Sequence, residues 1–306
     1  VIRGLERARC LGLTEEIPLI AMVRHAILAT SPDLVVSHID MTNIRTIAAL
    51  SETVVPLIAC EHTDTTRVSI GRWQSARKSL YGSAAAVVAP HPTIANWLAQ
   101  GGARAHAIPN PLVAPRTIPP RHDRNRRRLI SLTRLSPEKR PALMVRAFAS
   151  IAGEFPEWDL EIYGNGPLSA PLAGLAKDLA PGRIQLHGFV NDAYAILGGA
   201  DLFVSSSWVE GFGNGIWEAL ACGVPVVATE CGAPVRSLVR DGIDGLIVRR
   251  NGISALAASL GSLMGDDNRR QTFAARAPEV VNRFPAESSL ALWEKLIEKV
   301  TSSSGD

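Results

Sequence analysis

The sequence predicts an α/β protein built as two doubly wound domains joined by a linker, and three observations carry that prediction. Its 306 residues exceed one ordinary domain and suit two, at roughly 100–200 residues per domain. Short β-branched runs alternate with helical patterns along most of the chain, the signature of parallel strands covered on both faces. The alternation breaks at "AIPNPLVAPRTIPPRHDRNRRR", where five prolines and an arginine cluster read as a connection.

Before the break the strand candidates are "DLVVSH", "TVVPLIAC" and "AAAVVAP"; after it they are "RLISLT", "DLEIYG", "RIQLHG", "DLFVSS", "VPVVAT" and "DGLIV". Each is a short apolar run bounded by turn residues, as fully buried strands are. A helix beginning at Lys139 shows the expected period, with Leu143, Ala147 and Ile151 spaced by four and Met144 and Phe148 beside them. A last helical pattern, "ESSLALWEKLIEKV", carries Leu290, Trp293 and Ile297 at helical spacing before a polar tail. The expected divisions are residues 1–113, a linker at 114–127, a second domain at 128–283, and a final helix and tail at 284–306.

Composition excludes several classes. With 46% hydrophobic and 20% charged residues the chain is neither disordered nor a membrane bundle, and no apolar run approaches the ~20 residues that span a bilayer. The four cysteines (Cys10, Cys60, Cys222, Cys231) lack paired or metal-like spacing and lie in or beside apolar stretches, which favours buried thiols and the cytosol. The net charge is +3, and the arginines of the break read first as a solvated linker, then as attraction to anionic lipid or a charged acceptor. Without aromatic interleaving they do not suggest nucleic acid. "TRVSIGRWQSARKSLYG" reads as a packed amphipathic helix with a solvated basic face, and secondly as a membrane contact with Arg67, Arg72, Arg77 and Lys78 around Trp73. No D-x-D pair or His/Cys cluster points to a metal.

Chemistry concentrates in "SSSWVEGFGNGIWEALACGVPVVATE". In an open parallel sheet ligands gather beyond the carboxyl ends of the strands, and "DLFVSS" ends here. Gly211, Gly213 and Gly215 let backbone amides approach a ligand, and a helix starting near Asn214 points its positive end at the same place. An anion is expected, yet Glu210 and Glu218 should meet hydroxyls or positive charge. A sugar nucleotide answers both demands. Arg134, ending "RLISLT", and Lys139 can converge on its diphosphate. "GNGPLS" and "GFGNGI" each resemble part of a dinucleotide fingerprint, but no suitably placed acid follows either.

These residues resemble the retaining, nucleotide-sugar-dependent group 1 glycosyl transferases. The matching stretches are "LTRLSPEKRP", "LEIYGNGPL", "IQLHGFV", "ADLFVSSSWVEGFGNGIWEALACGVPVVAT" and "VRDGIDGLIV", in the family's order from about Arg128 to Val248. The resemblance implies two Rossmann-like domains in the GT-B arrangement, with the C-terminal helix crossing back to the first domain. It implies that Arg134 and Lys139 hold the donor diphosphate, that Glu210 lies near the donor sugar and Glu218 on the ribose, and that Gly211, Phe212, Gly213 and Asn214 offer backbone amides. Gly164 and Gly166 would line the nucleotide cleft, and Val190 would sit beside the base. "PDLVVSHIDMTNI", "VVPLIACEHTDT" and "AIPNPL" look like the acceptor domain of members building bacterial surface glycans on lipid carriers, with His62 near the transferred sugar; His38 reads as structural.

The expected activity is transfer of a sugar from a UDP-linked donor to a glycan or lipid-linked acceptor, with no cofactor or metal, in the cytoplasm or at the inner face of the membrane. A soluble carbohydrate acceptor is the alternative within the family. Members usually open with a strand and glycine-rich loop that this chain does not contain, which motivates an alternative of another class, a non-catalytic sugar-nucleotide-binding subunit.

Overall fold

All nine strand candidates form strands, and a further short strand joins them. The computed structural model describes residues 6, 9–68, 71–117, 126–249 and 252–302. Two compact units make up the chain: Val1–Pro111 with Ala286–Asp306, and Leu112–Pro285. Residues 118–125, most of the expected linker at 114–127, lie outside the described residues.

The first unit runs α1 (Ile17–Leu28), β1 (Val35–His38), α2 (Asp40–Ala49), β2 (Leu57–Cys60), α3 (Arg72–Leu80), β3 (Ala86–Ala89), α4 (Pro92–Gln100) and β4 (Ala105–Ala107). Among the described residues its sheet has the order β1-β2-β3-β4, all parallel. β2 and β3 are buried along their length, which is why "LIAC" and "AVVA" are continuous apolar runs. β4, "AHA", is half-buried throughout, and nothing in its three residues marks a strand. One sheet face packs Ile44, Leu57 and Val87 with Leu80 and Ile94.

The helix expected to expose a basic face does so only in part, through Lys78. Arg77 is buried and paired with Asp40 and Glu61, and Trp73 is buried beneath the Arg45 guanidinium. Acidic partners on neighbouring elements draw Arg77 inward, which composition along one helix could not reveal. The Arg72 side chain lies outside the described residues.

The second unit runs β5 (Arg127–Leu132), α5 (Pro141–Ile151), β6 (Trp158–Tyr163), α6 (Ser169–Leu179), β7 (Ile184–Gly188), α7 (Ala193–Leu197), β8 (Leu202–Ser205), α8 (Asn214–Ala221), β9 (Val226–Thr229), α9 (Ala233–Leu238), β10 (Gly245–Val248), α10 (Ile253–Met264), α11 (Asp267–Arg276) and α12 (Val280–Arg283). Its parallel sheet has the order β10-β9-β8-β5-β6-β7. The winding reverses between β5 and β8, whose register sets Ile130 opposite Phe203. Such a reversal opens a crevice beyond the strand ends. Phe148, Leu160 and Leu260 fill one side of the sheet; Phe203, Trp217 and Leu220 fill the other.

The last helix, α13 (Ala286–Ser302), belongs to the first unit, where Leu296, Val300 and Trp293 pack with Ile58, Cys60, Val88 and Ile108. Its buried stripe differs from the expected one. Leu290 and Ile297 are exposed, Trp293 is half-buried, and Ala286, Ser289, Leu296 and Val300 are covered. With apolar residues on two overlapping stripes the period alone cannot choose between them. No described helix is long and apolar enough to cross a membrane. All four cysteines are free; Cys60, Cys222 and Cys231 are buried, whereas Cys10 is exposed.

Candidate functional site

Two loops at the strand-order reversal carry most of the singled-out residues. After β5 the chain forms a 3₁₀ turn at Pro137–Lys139, passes through Arg140 in the left-handed region at φ 49°, and enters α5 at Pro141. Lys139 therefore lies in the turn rather than at the start of the helix. After β8 the loop reaches Gly213, at φ 100°, which precedes the first residue of α8, Asn214.

The loops are stitched together. Lys139 Nζ donates to Glu210 Oε1 at 2.7 Å, and Ser207 Oγ donates to the same oxygen at 2.7 Å. Ser206 Oγ donates to the Lys139 and Arg140 carbonyls at 3.0 and 2.9 Å. Arg134 does not join Lys139 on a common partner; it pairs with Glu138 at 2.8 Å and keeps 69% of its side chain exposed. Burial works to raise the Glu138 carboxyl, but hydrogen bonds from Ser136 and Arg134 outweigh it and hold the group below the usual carboxylate range. Lys139 and Glu210 are mostly covered, at 19% and 16% exposure, so each charge is neutralised by the other.

Glu218, on α8, meets different surroundings. Burial raises its carboxyl above the ordinary value, and no described group hydrogen-bonds it. A half-buried carboxylate that no described group hydrogen-bonds retains its full accepting capacity. Tyr194 lies close enough for the charge of Glu218, after burial, to help push its hydroxyl up to about 12, and that hydroxyl donates to the Val113 carbonyl at 2.7 Å.

Gly164 and Gly166 bring a second backbone against the loop that bears Arg134. Leu135 N–H donates to the Asn165 carbonyl and Leu168 N–H to the Leu135 carbonyl, each at 2.9 Å. A Cβ at Gly164, where φ is 133°, would run into the Thr133 carbonyl oxygen, and one at Gly166 into that of Leu135. Gly211 is buried; the Phe212 ring packs edge-on to Phe284 at 5.6 Å, leaving only its backbone for the loop. Asn214 is exposed, and Val190 is half-buried against the core of this unit.

In the first unit His62 follows β2 and is exposed rather than turned into the core. Its Nε2 lies 2.8 Å from Nδ1 of His38, with the rings stacked at 5.1 Å. Burial first, then the charge of His38, lowers the His62 pKa. Beneath the pair, buried Glu61 accepts from the Tyr81 hydroxyl and lies 3.4 Å from Arg77. Sequence reasoning missed Ser207, Glu138 and the partnership of His38. Ser207 stands three residues before Glu210 and Glu138 adjoins Lys139, but serines and acids in loops carry no distinguishing pattern.

Taken on its chemistry, the second unit's site offers an exposed cation, a held lysine, helix-end amides and an unpartnered carboxylate, a set suited to a ligand bearing both anionic groups and hydroxyls.

Residues 118–280 match the model of glycosyl transferases group 1. The chain is 30% identical over 264 residues to a phosphatidyl-myo-inositol mannosyltransferase of Mycolicibacterium smegmatis, covering 82% of this chain and 68% of that protein. It is 29% identical over 168 residues to the poly(glycerol-phosphate) alpha-glucosyltransferase of Bacillus subtilis, covering 54% of this chain and 24% of that protein. A third relative, an exopolysaccharide phosphotransferase of Streptomyces coelicolor, is 29% identical over 68% of this chain and 22% of its own. The chain thus spans about a quarter or less of the length of the latter two relatives. Among solved structures, S. aureus TarM bound to fondaparinux, alpha-GlcNAc-glycerol and UDP aligns at TM-score 0.77 and 18% identity, covering 90% of this chain and 58% of that one. Anabaena HepE with UDP and glucose aligns at TM-score 0.77 and 21% identity, covering 92% and 81%. At these identities the structures speak to the fold, which is GT-B.

Proposed function

The chain belongs to the group 1 glycosyl transferases, and we propose that it moves a sugar from a UDP-sugar donor to an acceptor hydroxyl with retention of anomeric configuration, without a metal. The acceptor in this reading is a lipid-linked or polysaccharide glycan, met in the cytoplasm or at the inner face of the membrane. Relatives described as acting on phosphatidyl-myo-inositol, poly(glycerol-phosphate) and diphospho-undecaprenol carriers support that acceptor class. The UDP bound in two similar folds supports the donor.

The observation that carries the proposal is the contrast at the reversal of the sheet: Glu210 is engaged by Lys139 and Ser207, whereas among the described residues none hydrogen-bonds Glu218. Glu218 is assigned the ribose hydroxyls, which would supply the donors its carboxylate lacks. Arg134, Lys139 and the amides at the start of α8 are assigned the departing diphosphate, whose charge grows as the bond to the anomeric carbon breaks. Glu210 is placed beside the sugar, where positive charge develops, and Lys139 moves from carboxylate to phosphate as the donor enters. Gly211, Phe212, Gly213 and Asn214 contribute backbone amides, Gly164 and Gly166 line the nucleotide side, Val190 meets the base, and His62 meets the transferred sugar.

The test is a donor screen over UDP-, GDP- and ADP-linked sugars, with and without chelator, reading released nucleotide and product anomer. UDP release that survives chelator, with an axial-to-axial outcome, is expected. Preference for another nucleotide, loss of turnover on chelation, or an inverted product would overturn the corresponding part.

A further inference from the structure

We propose that His38 and His62 act as one hydroxyl-binding unit, with Nε2 of His38 as the ring nitrogen open to the ligand. The proposal rests on the transferase reading above, and it changes which imidazole meets the sugar. The contact joins Nδ1 of His38 to Nε2 of His62 at 2.8 Å, so the outer nitrogen of His62 is already engaged. What remains is Nδ1 of His62, next to its own backbone, and Nε2 of His38, at the tip of an exposed ring. A neutral imidazole nitrogen accepts from a sugar hydroxyl or donates to it according to its tautomer, and the tautomer is set by the bond at the other nitrogen.

The surrounding structure holds this geometry at a cost. Register places His38 opposite Cys60, two residues before His62. The next residue, Ile39, has φ 73°, a conformation in which a β-branched side chain is strained. A buried clamp keeps it there. Ile39 N–H donates to the Cys60 carbonyl at 3.0 Å, and its own carbonyl accepts from Asn43 N–H at 2.8 Å. The Asn43 amide donates to the Cys60 carbonyl at 2.9 Å and to the Tyr81 hydroxyl at 3.3 Å, and accepts from Ser37 Oγ at 2.7 Å. Strain maintained by a buried network, at the ends of two paired strands that present two exposed imidazoles, is the pattern of a ligand site rather than of packing.

The charged groups nearby answer one another. Asp40 on α2 pairs with Arg77 on α3; Arg77 also meets Glu61, which accepts from Tyr81. Asp64 accepts from Thr66 and lends its charge to His91, the N-cap of α4. Protonating both rings would leave no lone pair for the contact between them and would set two like charges against each other.

The experiment uses the full chain with His38→Gln, His62→Gln and the double variant, read by long-range ¹H–¹⁵N NMR of the imidazoles and by transfer kinetics with the best donor from the screen. Expected first is a His62 titration below about 6.5 in the wild type that rises toward it in His38→Gln. Expected second is a loss of turnover of about a hundredfold in each single variant, with the double variant no worse than the weaker single, as for groups acting together. Multiplying losses, a His38→Gln enzyme within about twofold of wild type, or a His62 titration unmoved by His38→Gln would overturn the proposal. Absence of turnover with every donor would instead overturn the transferase reading, and the NMR titration then decides the pair alone.

Discussion

Seven residues lie between Glu210 and Glu218, yet their surroundings differ: Lys139 and Ser207 engage the first, and no described group hydrogen-bonds the second. Glu218→Gln should weaken UDP binding while leaving turnover at saturating donor nearly intact, because it removes an acceptor used equally in ground and transition states; Glu210→Gln should lower kcat and leave UDP affinity nearly unchanged. Calorimetric UDP isotherms beside initial rates check both, and equal losses with a lowered Tm would indicate two structural acids. Arg134→Ala should reduce kcat/KM by about 3–4 kcal/mol, as for loss of a principal electrostatic donor, with a Tm close to wild type because the side chain is 69% exposed and its surface pair contributes little. That Arg134, Lys139 and Glu210 lie in loops after strands, and Glu218 on the helix beyond, was legible because acids around a glycine turn and cations after a strand form a pattern. The partners that hold Arg134, Lys139 and Glu210 were not. Whether Arg134 faces Lys139 or Glu138 depends on the turn at Pro137–Lys139 and the left-handed Arg140, which the sequence of neighbouring charges does not encode.

Between elements, the decisive contacts are backbone against backbone and charge across strands. Gly164→Ala should lower stability by at least about 2 kcal/mol, since both its φ and the Thr133 carbonyl oppose a Cβ. Gly153→Ala, in open space with an ordinary φ, should stay within about 1 kcal/mol of wild type; denaturant melts of the two variants distinguish this close approach from a general intolerance of alanine. On the same sheet Glu161 joins three strands, accepting from Arg128 at 2.8 and 2.6 Å and from the Tyr163 hydroxyl at 2.6 Å, with His187 at 3.6 Å. Burial works to raise its carboxyl, and these partners outweigh it, so the folded value lies below the unfolded one. Its contribution is therefore complete above the ordinary value of 4.5 and is lost as pH falls through the lower, folded one. The Tm gap between wild type and Glu161→Gln should be steady from pH 7 to about 5 and narrow below it. Continuous apolar strands were readable one by one. The three residues of β4 and the choice of stripe on α13 were not, since each is decided by the surface it meets.

Across the molecule, the division into two units was announced by one proline and arginine break, and the doubly wound order of the second by its regular alternation. Assignment of the last helix to the first unit came only through family resemblance, because no local pattern says which partner an amphipathic helix will choose. Removing residues 286–302 should uncover Ile58, Cys60 and Val88, lower the melting of the first unit and create a surface that binds a hydrophobic dye. The second unit, continuous from Leu112 to Pro285, should keep its own transition in calorimetry. One further consequence concerns the order in which the protein is made. Within this chain, residues 1–111 leave the ribosome before residues 286–302, which complete the same unit. The unit Leu112–Pro285 can close while the other still waits with one apolar side bare, so a released chain truncated after residue 285 should expose residues 1–111 to protease and shield residues 112–285.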